Sequence, residues 1–553
     1  MVDIPQEYLP PKEYMPDNFY ALPELHYPLK LNLGKILLDD NAEKRGDKVA
    51  ILFKDKRITY KQLKERVNKL ANALKSLGVE DNDRVMIRMP NRPEWIESNF
   101  ACWKIGAIPV LTNHLLRAET ISYIANDSEA KVMIVGSEWL KDVEEAKPKM
   151  NFLKEIVVVG EEVKKEYHSY EEIIKDQSTD FPTFDFSRDH FGRLIYTSGT
   201  TGLPKGVLKT YREILSGADT HGRYILELSE KDVIGGHPYF SFAFGSVNFT
   251  QYPWRFGASL SIIERFTPED MFKTIEDHKI TVLCCVPTAF RMMLTVKDAE
   301  KKYDLSSLRI CQSAGEWLPP STIIEWKKRF GVEIIDSLGS SELNYWISTR
   351  KGNPENKIGS TGLPVPGYEL KIVDEEWKEV PRGTPGYLII RGPVGNTYWR
   401  KPEKQMKAVK DGWSLTDLMF IQDEDGYFWY QSRVDDMVVS AGHKIPGGEV
   451  ENVLNEHPAV LESAVIAAPD PVRGNIVKAF VVLKPGYSPS EELVKELQNY
   501  VKERIEPWKY PRKIEFAKAE DLPRTVTGKI QRAALREMER KKYEEEMKKA
   551  GAT

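Results

Sequence analysis

Cysteine is scarce in this sequence: four residues among 553, Cys102, Cys284, Cys285 and Cys311, none in CxxC spacing. That argues against a disulfide framework and against a thiolate zinc site, and it fits a reducing, cytoplasmic compartment. Charge of one sign is lacking too. The 79 basic and 83 acidic residues leave a formal net charge of -4, so there is no overall basic field for a nucleic acid, and any polyanion must be held locally. No segment approaches the roughly 18 apolar residues a membrane-spanning helix needs. The first twenty residues, MVDIPQEYLPPKEYMPDNFY, are acidic and proline-rich where a signal peptide would begin basic and turn apolar, so they read as an extended arm on a soluble protein. Repeats and low-complexity tracts are missing, and the closing RKKYEEEMKK reads as a solvated helix face. A chain of this length is too long for one hydrophobic core, and at least two domains are expected.

What is present is a rhythm. Between residues 48 and 136 the β-like runs VAILF, RVMIRM, AIPVL and AKVMIVG alternate with helical patterns such as KQLKERVNKLANALKSLG, whose Leu63, Val67, Leu70, Leu74 and Leu77 share one face. The alternation predicts an α/β protein with parallel sheets, and it resumes after Phe191 in LIYT, DVIGGHPY, KITVLCCVP, LRICQSAGE and VEIIDSLGSSE. Several of these strands run into Gly/Ser/Thr loops at their C-terminal ends, where open α/β sheets bind ligands. From about 358 to 435, short strands joined by Pro/Gly turns predict a small β-barrel or sandwich. Beyond it, a compact α+β domain of just over a hundred residues is expected.

One stretch fits neither helix nor strand. Residues 196–206, YTSGTTGLPKG, follow an apolar strand with five hydroxyl side chains, three glycines and one lysine. A glycine-rich turn exposes consecutive N–H groups and lets the backbone approach a ligand, so the loop reads as a cradle for phosphate oxygens. It is not a Walker A loop, because Pro204 stands where that pattern needs glycine.

YTSGTTGLPKG resembles the phosphate loop of the adenylate-forming superfamily, which comprises acyl-CoA synthetases, the adenylation domains of peptide synthetases, and luciferases. The rest of the family's motifs follow in order: SAGEWLPP, DSLGSSE, IGSTGLPVPG, DGWSLTD, SRVDDMVVSAGHKI and PRTVTGKI, together spanning residues 196–530. The resemblance implies a large N-terminal domain, residues 1–434, made of two α/β sheet layers plus a small β-barrel. A mobile α+β C-terminal domain, residues 436–553, would follow a hinge at Asp435. It also implies the reaction: a carboxylate attacks the α-phosphorus of ATP, pyrophosphate leaves, and a thiol takes the acyl group from the adenylate. Such catalysis is mainly positioning and charge stabilisation.

By the same resemblance Thr197, Ser198, Gly199, Thr200, Thr201, Gly202 and Lys205 hold the β- and γ-phosphates. Gly315, Glu316 and Trp317 line the adenine side, and Asp336, Ser337, Leu338, Gly339, Ser340 and Ser341 face the adenine and α-phosphate. Glu342, with Thr200 nearby, is the expected magnesium ligand. Lys529 is the expected catalytic lysine, Arg433 a ribose contact, and Gly442 and His443 flank the pantetheine of CoA. Read without the motifs, Glu342 would be a helix-start carboxylate and Lys529 one surface lysine among many.

Two departures stand out. The family's W-x-x-T-G-D lacks its glycine here, which leaves Asp417 or Leu418 at the ribose-binding aspartate's place; a leucine cannot accept from a diol, so Asp417 is the better candidate. Leu338 replaces the usual aromatic, giving aliphatic packing against adenine. Gly339 stands where acetate-selective relatives carry a tryptophan, which predicts a roomier acyl pocket, and Tyr239, Phe240, Phe242 and Phe244 of HPYFSFAFGS are candidates for its wall. The closing block most resembles medium-chain, benzoate-type and 2-aminobenzoate-type CoA ligases. The expected partners are therefore a carboxylic acid of medium-chain, branched, hydroxy or aromatic type, ATP, Mg2+ and coenzyme A, with no nucleic acid and no membrane; a homo-oligomer is left open. A carrier-protein or oxygen acceptor and a non-catalytic nucleotide sensor are the competing readings.

Overall fold

A computed structural model describes residues 5–161, 163–197, 203–316, 318–440, 443–471, 473–525, 528 and 530–549. Two large mixed sheets carry the N-terminal part. One has seven strands, in which Ile108–Leu111, Arg84–Arg88, Ala130–Gly136 and Glu155–Val159 run parallel and the hairpin Phe191–Thr197/Lys205–Thr210 closes one edge. The other has nine. Val49–Phe53, Ser259–Ile262, Val233–Gly236, Val282–Cys285, Ile310–Ser313 and Ile334–Ser340 are parallel, with antiparallel strands at both edges.

Strand alternation sends successive side chains to opposite faces, and this builds the layers. Val85 and Ile87 point into a core shared with Ile51, Ile234 and Leu260 of the nine-stranded sheet, while Met86 points the other way. Between the sheets lie Tyr60–Ser76 and Pro93–Ile105. The first is set by a capping box, Thr59 accepting from the Gln62 N–H at 3.2 Å and Gln62 from the Thr59 N–H at 2.9 Å. It buries Leu63, Val67, Leu70 and Leu74, whereas Leu77 falls at the C-cap, half-buried. The second is buried on all sides, as a helix packed between two sheets must be.

A five-stranded antiparallel sheet, Glu369–Val373, Gly386–Arg391, Val409–Lys410, Trp413–Gln422 and Phe428–Arg433, forms the small β layer that the Pro/Gly turns predicted. The N-terminal arm is a strap more than a free extension. The Tyr8 hydroxyl donates to Glu129 at 2.5 Å, its ring lies edge-on to Trp399, and its carbonyl accepts from the Arg400 N–H at 2.8 Å. Further on, Leu25 and Tyr27 are buried.

The C-terminal part is the hairpin Met437–Ser440/His443–Pro446, the sheet Val460–Asp470/Gly474–Leu483/Lys513–Phe516, and the helices Gly447–Glu456, Glu491–Lys502 and Arg532–Lys549, with a core on each sheet face. Asp435 is the middle residue of the single turn Val434–Asp436 that leads into it. Beside that turn, a Cβ on Gly448 would stand 3.0 Å from the Gln431 carbonyl oxygen and 3.7 Å from the Tyr430 ring, so the glycine lets the helix start sit against the strand Phe428–Arg433. All four cysteines are buried and free. Among the described residues no helix is long and apolar enough to cross a membrane.

Candidate active site

The phosphate-loop hairpin is set by register: Thr197 pairs with Lys205, so the connection leaves from the strand end and returns at the lysine. Ser198, Gly199, Thr200, Thr201 and Gly202 lie outside the described residues, as do Trp317, Gly442 and Lys529, and of Asp435 and His443 the backbone alone is described.

Lys205 is where the charges meet. Burial first, and then the Lys404 ammonium, lower its pKa; Asp417 and Glu342 pull it back up, and Arg433 lowers it further. Three cations thus face two carboxylates, from a hairpin edge (Lys205), a hairpin tip (Glu342), the helix Pro402–Ala408 (Lys404) and the small β layer (Asp417 and Arg433). Lys404 and Asp417 are 3.6 Å apart. The arrangement carries a surplus of positive charge suited to a polyphosphate.

Glu342 sits at the tip between Ile334–Ser340 and Asn344–Ser348, where Ser340 pairs with Asn344 and Asn344 adopts a positive φ of 56°, a conformation asparagine tolerates in tight loops. Its N–H donates to Ser340 Oγ at 3.2 Å, and its carboxylate accepts from the Tyr398 hydroxyl at 3.1 Å. Behind it, the fully buried Lys209 donates to the Glu342 carbonyl and, at 3.1 Å, to the Gly395 carbonyl. Burial pushes the Lys209 pKa down, against the pull of Glu213 and Glu342. Among the described residues no group of three or more His, Cys, Asp or Glu could hold a metal ion alone. One carboxylate with an engaged oxygen fits a hard dication that takes its other ligands from phosphates and water.

Asp417 and Leu418 part company. On the strand Trp413–Gln422, Thr416 is buried and donates to the Leu388 carbonyl at 2.8 Å, and Leu418 packs against the main core opposite Arg433. Asp417 faces the other way, 59% exposed, toward Lys404.

The second sheet carries the residues expected on the adenine side. Asp336 ends the parallel run opposite Ser313, and burial pushes its carboxyl up to about 8. Gly315 takes φ 91°, and Glu316 accepts from the Thr288 N–H and hydroxyl at 3.1 and 2.7 Å, which caps the helix Pro287–Leu294. Ser337 spends its hydroxyl on His221 Nε2 (2.9 Å) and Ser348 (2.8 Å), so its backbone is what remains for a nucleotide. Leu338 is half-buried against the core, and Ser340 and Ser341 are half-buried beside Glu342.

Two pocket expectations need correction. Phe240 is 1% exposed and packed between Trp95 and Phe249, a core residue and not a wall. A Cβ on Gly339 would stand 2.4 Å from the Asn344 carbonyl oxygen and 2.8 Å from the Tyr345 ring. The glycine therefore makes room for Tyr345, and that ring, stacked on His221 and edge-on to Phe244, forms the boundary there. Tyr239 and Phe242 are half-buried, with Tyr239 edge-on to His114.

Three contributors escaped sequence reasoning: Tyr398, Lys404 and Lys209. Tyr398 and Lys404 carry no motif. Lys209 had one usable signal, its period-two spacing from Lys205 along a strand.

The family model of the AMP-binding enzyme matches residues 38–399, and that of the AMP-binding enzyme C-terminal domain matches 449–529. An acetyl-coenzyme A synthetase of Bacillus subtilis (strain 168) is 37% identical, covering 92% of this chain and 91% of its own. A benzoate–CoA ligase of Thauera aromatica is 34% identical, with 94% and 98% covered. The crystal structure of the anthranilate CoA ligase AuaEII in complex with anthranoyl-AMP superposes with a TM-score of 0.89 at 36% identity, covering 94% of this chain and 99% of that one.

Proposed function

The chain belongs to the AMP-binding enzyme family and is an AMP-forming carboxylic acid:CoA ligase, and from that premise we propose the acid it takes and the residues that do the work. The acid is larger than acetate: medium-chain, branched, hydroxy or aromatic. Supporting this is the likeness to benzoate and anthranilate ligases.

In the first half-reaction a carboxylate oxygen bonds to the α-phosphorus of ATP while the bond to the bridging oxygen breaks and pyrophosphate departs. Lys205 and Thr197, with Ser198, Gly199, Thr200, Thr201 and Gly202, hold the departing phosphates. Asp417 and Arg433 hold the ribose, and Gly315, Glu316, Trp317, Asp336, Leu338 and the neighbouring serines frame the adenine. Lys529 neutralises charge developing between carboxylate and α-phosphate. Glu342 and Thr200 would hold Mg2+, which when bound supplies Lewis-acid charge to phosphate oxygens. In the second half-reaction the CoA thiol gives up its proton, its sulfur bonds to the acyl carbon, and AMP leaves. We place the boundary between residues 1–434 and 436–553 at Asp435, about which the C-terminal domain turns to exchange Lys529 for Gly442 and His443 beside the pantetheine.

The observation that supports this reading best is the meeting of Lys205, Lys404, Arg433, Asp417 and Glu342 from three strands, a helix and a hairpin tip. Its test is AMP release across a panel of carboxylic acids with ATP and CoA, acetate included. Lys529→Ala is expected to lose most acid-dependent pyrophosphate exchange and to keep thioester formation from supplied acyl-adenylate. Normal exchange in that variant would remove Lys529 from the mechanism, and a panel led by acetate would overturn the size class.

A further inference from the structure

A buried polar group without a partner is expensive, so a cluster of them in one place needs an explanation. Such a cluster lies on the inner face of the nine-stranded sheet, at its C-terminal edge. Asn248 and Gln312 are fully buried and Tyr345 is 3% exposed. The Asn248 amide nitrogen donates to Cys284 Sγ at 3.1 Å and to the Gln312 carbonyl oxygen. That leaves the Asn248 Oδ1, the Gln312 Nε2 and the Tyr345 hydroxyl without a hydrogen-bond partner among the described residues. Gln312 lies close enough to lower the Tyr345 pKa but makes no bond of ordinary geometry with it.

The cluster adjoins Gly339 and Phe244, two residues expected on the acyl side of the site. Tyr345 pairs with Gly339 and limits the space there. Phe244, edge-on to Tyr345, stands one helical turn before Asn248 on Ala243–Thr250, so both share a face. Gln312 comes from the strand whose end precedes Gly315. These open valences are one acceptor, one donor and one hydroxyl that serves as either.

No charge stands among them. Burial pushes the Cys284 thiol up to about 12, and His221, stacked on Tyr345, is pushed down to about 3 and is neutral. Neither a second carboxylate nor an ammonium would find a counter-ion among these three side chains.

We propose that the acid carries a neutral hydrogen-bonding substituent, a hydroxyl or an aromatic amine, away from its carboxylate, and that Asn248, Gln312 and Tyr345 recognise it. The proposal rests on the ligase reading above and narrows its substrate. A plain hydrocarbon of the same size would strand all three groups, and sites built to bond a hydroxyl reject analogues lacking it far more strongly than apolar pockets reject a methylene.

The test uses the full chain and matched pairs of acids: benzoate against its monohydroxy and monoamino derivatives, and hexanoate against 4- and 5-hydroxyhexanoate, each read as kcat/KM for CoA-dependent AMP release. The best substituted acid should exceed its parent by on the order of a hundredfold. Asn248→Leu and Tyr345→Phe should level the ratio within each pair; should either fail to fold, the unmodified enzyme's ratio decides alone. Parent acids that match or beat every substituted partner would overturn the inference and leave the ligase intact. AMP release from no acid at all would overturn the ligase reading, and this inference with it.

Discussion

The Tyr398 hydroxyl donates to Glu342 Oε1 across 3.1 Å, between residues 56 positions apart. Tyr398 is 5% exposed, and burial together with the Glu342 charge pushes its pKa above the ordinary value, so it is a fixed donor. The arm reinforces it, since Tyr8 grips the adjoining Trp399 and Arg400. Tyr398→Phe keeps the ring and frees the carboxylate. Pyrophosphate exchange should then slow about tenfold or more, since one hydrogen bond to a charged group contributes roughly 1.5–3 kcal/mol. An unchanged exchange rate would mean that Glu342 needs no holder.

Asp417 is exposed and ion-paired only loosely with Lys404, so Asp417→Ala should leave the urea midpoint nearly untouched, as surface pairs contribute about 0–1 kcal/mol. Its effect should appear in ATP. Losing a charged acceptor for ribose hydroxyls is expected to raise the KM for ATP on the order of tenfold to a hundredfold. If ATP binding is unaltered, the ribose is held elsewhere.

The pH dependence of stability should carry an Asp336 signature. Its carboxyl is raised to about 8 by burial, so between its unfolded value, near 4, and about 8 the folded protein holds a proton that the unfolded chain has lost. The stability this proton lends is complete below the unfolded value and disappears as pH climbs through the folded one. Urea midpoints measured from pH 5 to 8.5 should therefore fall further in the unmodified protein than in Asp336→Asn. Parallel curves would show Asp336 to be ionised throughout.

Proline at the hinge tests domain rotation. Asp435 lies within a single turn, and Asp435→Pro fixes φ near −65° and removes a backbone donor. Adenylation should persist while thioester formation falls by an order of magnitude or more if the turn must change its dihedrals. Equal loss of both half-reactions would point to general damage.

How much of this was legible in the sequence depended on the range of the interaction. Leu63, Val67, Leu70 and Leu74 declared their helix because periodicity and a cap are local. Glu342 could be singled out because its motif is contiguous, whereas Tyr398 and Lys404 could not, because the carboxylates they approach come from other elements. Phe240 was misplaced for the same reason: an aromatic run shows apolarity but not which ring faces Trp95 and which faces Tyr345.

The sequence by itself determined the α/β layering, the order of the motifs and the family chemistry, since strand alternation, helix periodicity and glycine-rich turns act over a few residues. Only the tertiary structure decided that Asp417 turns outward while Leu418 joins the core, that Tyr345 takes the space beside Gly339, and that Asn248 and Gln312 keep unspent valences. Those outcomes turn on which side chains meet across sheets, where close packing and the cost of an unpaired polar group leave few arrangements open.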